Sequence, residues 1–144
     1  MKKLFIVLLI GFGIYGYLQS NPNIMSSFTG ESIQSNQTIT EAFQSQLSDI
    51  QVSGSGKVSR VLSDDNKGSR HQRFLLKLPS GQTILIAHNI DLAPKIHTIK
   101  TGDEIQFFGE YEWNSKGGVV HWTHHDPQGR HVGGWLKHDG KKYE

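Results

Sequence analysis

Imidazole side chains are concentrated near the C-terminal end of this chain. Four of its eight histidines fall within residues 119–131, namely His121, His124, His125 and His131. Imidazole is the commonest metal ligand in proteins and the side chain that titrates nearest to neutral pH. Metal binding or acid–base chemistry is therefore expected in this segment before any other.

The histidine segment supplies one set of candidate metal ligands. On a strand, His121 and His125 would share the outward face about 13 Å apart, which is too far to chelate one ion directly. A turn at Asp126 would bring His131 back towards them, so we predict a metal site formed by His121, His125, Asp126 and His131. A His/Asp set suits zinc or a similar divalent metal. The spacing matches no standard zinc motif, so surface histidines bonded to the backbone are the alternative.

Two carboxylates precede the histidine segment and could act with it. Glu110 and Glu112 alternate with Tyr111, which places both on one face of a predicted strand. If this strand pairs with the next one, a Glu–His pair with His121 or His125 could orient an imidazole or transfer protons. We therefore predict Glu110 and Glu112 as catalytic residues, in the role of general base. The sequence contains no Gly-rich phosphate loop and no serine nucleophile elbow.

A third candidate is a ligand-binding face formed by cations and aromatic rings. Arg73 carries a planar fork suited to phosphate or carboxylate groups, and exposed rings beside cations can stack on bases or sugars. The predicted ligand is an anionic or sugar-like polymer, either nucleic acid or oligosaccharide. A solvated strand face with core aromatics is the alternative reading. The predicted ligand-binding residues are His71, Arg73, His88, Trp113 and Trp135.

Composition limits the chemistry further. The chain has no cysteine, which excludes disulfides and thiolate chemistry. Its formal net charge is only +2 at pH 7. Lys2 and Lys3 near the N-terminus account for this excess, so a large basic footprint for nucleic acid is not evident.

The N-terminus has the pattern of an export segment. Lys2 and Lys3 precede an apolar run over residues 4–18, which is typical of a signal peptide or signal anchor. As a helix this run would span about 22 Å, less than the hydrocarbon core of roughly 30 Å, and no Ala-x-Ala cleavage site follows it. We predict a signal peptide or anchor over 1–20, a periplasmic location or inner-membrane anchoring, and a flexible linker over 21–37.

Hydrophobic periodicity predicts the fold of the remainder. Thr38 and Glu41 have capping-box spacing and favour a short helix over 39–48. Alternating apolar residues then predict five strands, with an irregular connection over 91–100 and a small hairpin over 135–143. Five strands with a segment between the third and fourth match the order of an OB-fold barrel. We therefore predict an all-β protein, with an OB-like barrel domain over 38–144 and a C-terminal extension.

Several segments resemble a known family, DUF3465, which comprises small exported bacterial proteins of uncharacterised function. The resemblance covers roughly residues 38–144 and implies a domain boundary, but no catalytic residues. It is carried by residues 71–74 (HQRF), 87–94 (AHNIDLAP), 109–114 (GEYEWN) and 121–127 (HWTHHDP).

The sequence leaves three functional hypotheses open. The first is a ligand-binding OB-like module in the bacterial envelope. The second is a metal-dependent hydrolase, such as a phosphodiesterase, that uses the C-terminal His/Asp cluster. The third is a structural or protein-interaction domain. Preference for the first rests partly on analogy of fold, because OB-type barrels usually bind ligands.

Overall fold

The computed structural model describes residues 31–144, with side chains described for residue 36 and from residue 38 onward. Among these residues no helix is both long and apolar enough to span a membrane. Over residues 31–144 the elements are one helix, α1 (Glu31–Gln44), and seven strands: β1 (Ile50–Val61), β2 (His71–Lys77), β3 (Thr83–Asn89), β4 (Glu104–Glu112), β5 (Val119–His121), β6 (Trp135–His138) and β7 (Lys141–Tyr143).

Strands β1 to β5 close into a barrel. Antiparallel pairing joins β1 to β2, β2 to β3, and β5 to β4. Strand β3 runs parallel to β5, and β4 pairs back onto β1 over eight residues, from Lys57–Glu104 to Ile50–Tyr111. The predicted all-β class, with a five-stranded barrel and one short helix, is therefore confirmed.

Alternation along each strand separates the barrel interior from its outer wall. In β1, the alternate residues Val52, Gly54, Gly56 and Val58 are all buried. The interior is filled by aliphatic and aromatic side chains, and period-two burial recurs along β2, β3 and β4. The outer wall is formed by the intervening residues, most of them polar, together with the partly exposed Leu75, Leu85 and Phe108. The largest fully buried side chains include Tyr111, Phe74, Phe107, Leu76, Ile84, Ile86 and Leu136.

Helix α1 begins earlier than the capping-box pattern predicts. It is already helical at Glu31, passes through Thr38 and packs on the barrel core through Ile39 and Ala42. Before that face, the buried Asn36 accepts a hydrogen bond on its Oδ1 from the Ser55 N–H at 3.2 Å. The predicted export segment over 1–20 lies outside the described residues, as does the predicted linker up to residue 30, whereas residues 31–37 are helical.

Strand β5 is shorter than predicted. It ends at His121 instead of continuing to His125, because Trp122 has a φ of 53°, in the left-handed region that breaks an extended strand. The break also changes which side chains face inward. Thr123 is fully buried and His124 is nearly so, whereas Trp122, which a regular strand with His121 facing outward would place in the core, is only half-buried.

Two connections between strands are fixed by identifiable local contacts. The irregular segment between β3 and β4 is held by the buried amide of Gln72, which donates to the Ile96 carbonyl at 2.8 Å and accepts from the Ile96 N–H at 2.9 Å. The predicted C-terminal hairpin is confirmed as β6 and β7. Its turn residues Asp139 and Gly140 both have positive φ, as a type I′ turn requires.

Candidate carboxylate–histidine site

Two neighbouring strands bring acidic and imidazole groups together on the outer wall. Glu110 and Glu112 lie on the outward face of β4, and Glu110 is directly opposite His121 of β5. The Nε2 atom of His121 lies 3.1 Å from Glu110 Oε2 and 3.4 Å from Glu112 Oε1. The predicted proximity of this carboxylate pair to His121 is thus present in the structure. We call Glu110, Glu112 and His121 the β4–β5 cluster.

A second imidazole reaches the cluster from the loop after β5. His131 Nε2 lies 3.3 Å from Glu110 Oε1. The loop is held by Asp126, whose Oδ2 accepts the N–H groups of His131 at 2.8 Å and Arg130 at 2.9 Å. Glu110 therefore lies between two imidazoles, one from a strand and one from a loop ordered by a carboxylate.

The geometry of the β4–β5 cluster is compatible with a bound cation. One potential ligand atom from each of the three residues lies within 4.8 Å of the other two. The His121 Nε2 atom is shielded from solvent, yet no neighbour in the described part of the chain meets hydrogen-bond geometry with it. Its 3.1 Å approach to Glu110 is therefore a close contact without proper alignment. A nitrogen in this situation is available to a ligand that lies between the three side chains.

Carboxyl groups in and beside the cluster lie unfavourably close to one another. Burial, followed by the facing Asp49 carboxyl, raises the pKa of Glu112 above its ordinary value, although His121 acts in the opposite direction. On the other side of Glu110, Gln51 of β1 is its cross-strand partner. The Gln51 Nε2 is buried and has no hydrogen-bond partner among the described residues. The cluster is thus an electronegative site with unsatisfied polar groups beside it.

His131 is fixed by an aromatic neighbour as well as by Glu110. Its ring stacks on Trp122 with centroids 3.9 Å apart and planes 9° from parallel. Burial lowers the pKa of His131, but the Val132 carbonyl and the Glu110 carboxylate outweigh that effect, so the net pKa is raised. The ring is therefore biased towards the imidazolium form beside Glu110.

The predicted metal ligands are only partly brought together. His121 and His131 both reach Glu110, whereas His125 is exposed on the loop. Asp126 has its oxygens occupied by backbone N–H groups, chiefly those of Gln128 and His131, which lower its pKa. Asp126 thus orders the loop, and the carboxylates beside His121 are Glu110 and Glu112, the residues predicted for catalysis.

The predicted ligand-binding residues do not form one surface. His88 points into the barrel and is fully buried, and this burial lowers its pKa from 6.5 to about 4. Arg73 donates from its Nε to the Ser63 carbonyl, and Trp113 donates from its Nε1 to the Phe43 carbonyl of α1. His71 contacts the Ser69 carbonyl through Nδ1, and Trp135 lies beside Phe108 and Lys142. The sequence could predict only that alternate residues of β2 face outward. The positions of the other side chains depend on strand register and on loop contacts.

An open pocket adjoins the cluster through His131. It has a volume of about 520 Å³. Leu92 was not predicted as a functional residue, because nothing in the linear sequence shows that the segment before β4 meets the loop after β5. Gln128 and Arg130 of that loop were not predicted either, and Gln51 was missed because its position beside Glu110 depends on the pairing of β1 with β4. The pocket is lined by Leu92, Trp122, Asp126, Pro127, Gln128, Arg130 and His131.

Fold and site together define a small closed β-barrel that carries a carboxylate–histidine cluster on its outer wall. The chain belongs to the family DUF3465, described as "Protein of unknown function", whose model matches residues 23–144. The family match predicted from the sequence is thereby confirmed. A comparison with curated proteins finds no match.

Proposed function

We propose that this protein is a divalent-metal-binding module whose metal site is the β4–β5 cluster. The main observation behind this proposal is that Glu110, Glu112 and His121 converge, with one potential ligand atom of each within 4.8 Å of the other two. Imidazole and carboxylate ligands suit zinc or a similar ion, and three protein ligands leave a further coordination position open. The unaligned His121 Nε2 supports the proposal, because a cation between the three groups would give this nitrogen a partner.

Electrostatics supports a cation at this position. Asp49 and Glu112 interact directly, and Glu110 is only two residues from Glu112 on the same strand face. Like charges at this separation destabilise one another. A divalent ion would offset that repulsion. His131, which contacts Glu110, would then orient that ligand from outside the site, as neighbouring hydrogen-bonding groups do around metal ligands.

The proposal includes an OB-like barrel in the bacterial envelope. The strand order β1-β2-β3-β5-β4 and the parallel contact of β3 with β5 support the OB-like assignment. Lys2 and Lys3 before the apolar run over residues 4–18 support export. Fractionation of expressing cells, together with the mass of the mature chain, tests location and cleavage. Recovery of the uncleaved chain in the cytoplasm would refute export.

The metal proposal is tested by calorimetric zinc titration of the full-length chain, purified without a histidine tag and freed of metal. We expect one zinc ion per chain and at least tenfold weaker affinity in Glu112→Gln and His121→Gln. Glu104→Gln is the matched control on the same strand, because Glu104 is exposed at its far end. His97→Gln is the matched control for an exposed histidine. Equal zinc affinity in cluster variants and controls, or no zinc binding at all, would refute the proposal.

A second candidate function is hydrolysis by a metal-bound water. It is favoured by the partial exposure of the cluster, since the side chains of His121, Glu110 and Glu112 are 34%, 17% and 35% exposed, and by the pocket beside it. A metal can lower the pKa of bound water and so generate a nucleophile at neutral pH. Zinc-dependent cleavage of a nitrophenyl phosphodiester that is lost in His121→Gln would support it. Turnover that persists in His121→Gln would exclude this site as its source.

A further inference from the structure

The pocket beside the β4–β5 cluster combines an apolar wall with a permanent positive charge. Leu92, Trp122 and Pro127 supply the apolar part, and Arg130 supplies the charge; Asp126 and His131 also line the pocket. A volume of about 520 Å³ lies within the range of sites for small molecules. The combination suits a flat ring with an anionic substituent, rather than a purely apolar or a purely ionic ligand.

Arg130 is well placed to hold an anion. Its side chain is exposed, and its guanidinium has no hydrogen bond or ion pair with any residue that the structure describes. Its backbone N–H is fixed by Asp126 Oδ2 at 2.9 Å, so the residue is positioned although its charge is not neutralised. Arginine pairs with phosphate through two parallel hydrogen bonds, which makes the guanidinium suitable for a phosphate group.

The carboxylate in the pocket wall is largely occupied. Asp126 Oδ1 accepts the Gln128 N–H at 2.9 Å, and Oδ2 accepts the N–H groups of Arg130 and His131. Its lone pairs are therefore directed into the loop backbone, which reduces its competition for the Arg130 guanidinium. The Trp122 ring, held against His131, forms a rigid side of the same pocket.

We propose that this pocket binds an aromatic ring that carries a phosphate, as in a nucleotide. The ring packs against Trp122, Leu92 and Pro127, and the phosphate pairs with Arg130. This binding does not require the metal site, although His131 adjoins both. The inference therefore extends the proposed function, and its test can fail independently of the zinc titration.

The test compares three probes by calorimetry on the full-length chain, with and without zinc: adenosine monophosphate, adenosine and inorganic phosphate. We expect saturable binding of the monophosphate, with at least tenfold weaker binding of adenosine and of phosphate alone. Arg130→Gln should weaken monophosphate binding about tenfold while leaving adenosine binding unchanged. Arg60→Gln, an exposed arginine of β1, is the matched control.

A second variant tests the apolar wall. Leu92→Ser should weaken both monophosphate and adenosine, because it removes ring contact and leaves Arg130 in place. The proposal is overturned if no monophosphate binding is detected, if phosphate alone binds equally well, or if Arg130→Gln and Arg60→Gln bind alike. If the wild-type chain binds the monophosphate but not zinc, only the metal site is refuted. If it binds zinc but not the monophosphate, only the pocket proposal is refuted.

Discussion

His88 Nδ1 lies 2.8 Å from the Thr123 hydroxyl oxygen inside the barrel. The other ring nitrogen, Nε2, lies 2.9 Å from the Pro94 carbonyl. A carbonyl can only accept, so Nε2 carries the proton of the neutral ring and Nδ1 accepts from the Thr123 O–H. One imidazole thereby connects β3, the segment after β5 and the connection between β3 and β4.

Removing the Thr123 hydroxyl should destabilise the fold. Thr123→Val keeps the shape of the side chain but leaves the buried His88 Nδ1 without its donor, which typically costs about 1–3 kcal/mol. The free energy of unfolding from urea denaturation measures this loss. Thr123→Ser retains the hydroxyl and should lose less. Equal stability of the valine variant and wild type would show that the bond contributes nothing.

Acid should destabilise the protein through His88. Burial lowers its pKa from 6.5 to about 4 in the folded state, so between these values the unfolded chain binds more protons. The part of the free energy of unfolding that depends on neutral His88 is fully present above about pH 6.5. It is lost as the pH falls to about 4, a change on the order of 3 kcal/mol. His88→Asn should show a shallower decline than wild type over this range.

Nuclear magnetic resonance gives a direct check on the His88 titration that does not depend on the variant's folding. The His88 ring signals of the wild-type protein should show no titration between pH 8 and pH 5. The surface residue His97, which is exposed, serves as the internal comparison. A His88 midpoint near 6.5 would contradict the assigned burial effect.

Glu112→Gln should change stability in opposite directions with and without metal. Burial and Asp49 raise the pKa of Glu112, so its ionised form is less favourable in the folded protein than in the unfolded chain. In chelator the variant should melt at or above the wild-type temperature. In saturating zinc it should melt below, because a proposed ligand is missing. Glu104→Gln should follow wild type in both conditions. The site would be contradicted if Glu112→Gln and wild type melted in the same order with chelator and with zinc.

Gly118→Ala should be much more harmful than Gly129→Ala. Both glycines have positive φ, but an added Cβ at Gly118 would overlap the buried Tyr111 ring, whereas at Gly129 nothing lies within 4 Å. Backbone strain alone costs about 1–2 kcal/mol, and overpacking typically adds about 1–3 kcal/mol. Urea denaturation should therefore give a larger free energy of unfolding for Gly129→Ala than for Gly118→Ala. Equal losses would mean that the Tyr111 contact relaxes freely.

Local patterns predicted much of the fold and less of the site. Alternation located the five barrel strands, and the hairpin predicted over 135–143 contains Asp139-Gly140, a residue pair that readily adopts the positive φ of a two-residue turn. The site depends on which strands are neighbours and on their register. Glu110 and His121 were predicted to be near each other from adjacent strands, but the contact with His131 requires the chain to leave β5 at Trp122. No residue-type preference predicts a left-handed tryptophan.

The contact between Asn36 and the barrel defines where the folding unit starts. Gly54 is close to the Asn36 amide, and an added Cβ there would overlap it. A fragment that began at Thr38, the boundary predicted from the capping box, would remove this amide and leave the Ser55 N–H without its acceptor. Limited proteolysis or truncation should therefore identify a minimal stable fragment whose first residue precedes Asn36.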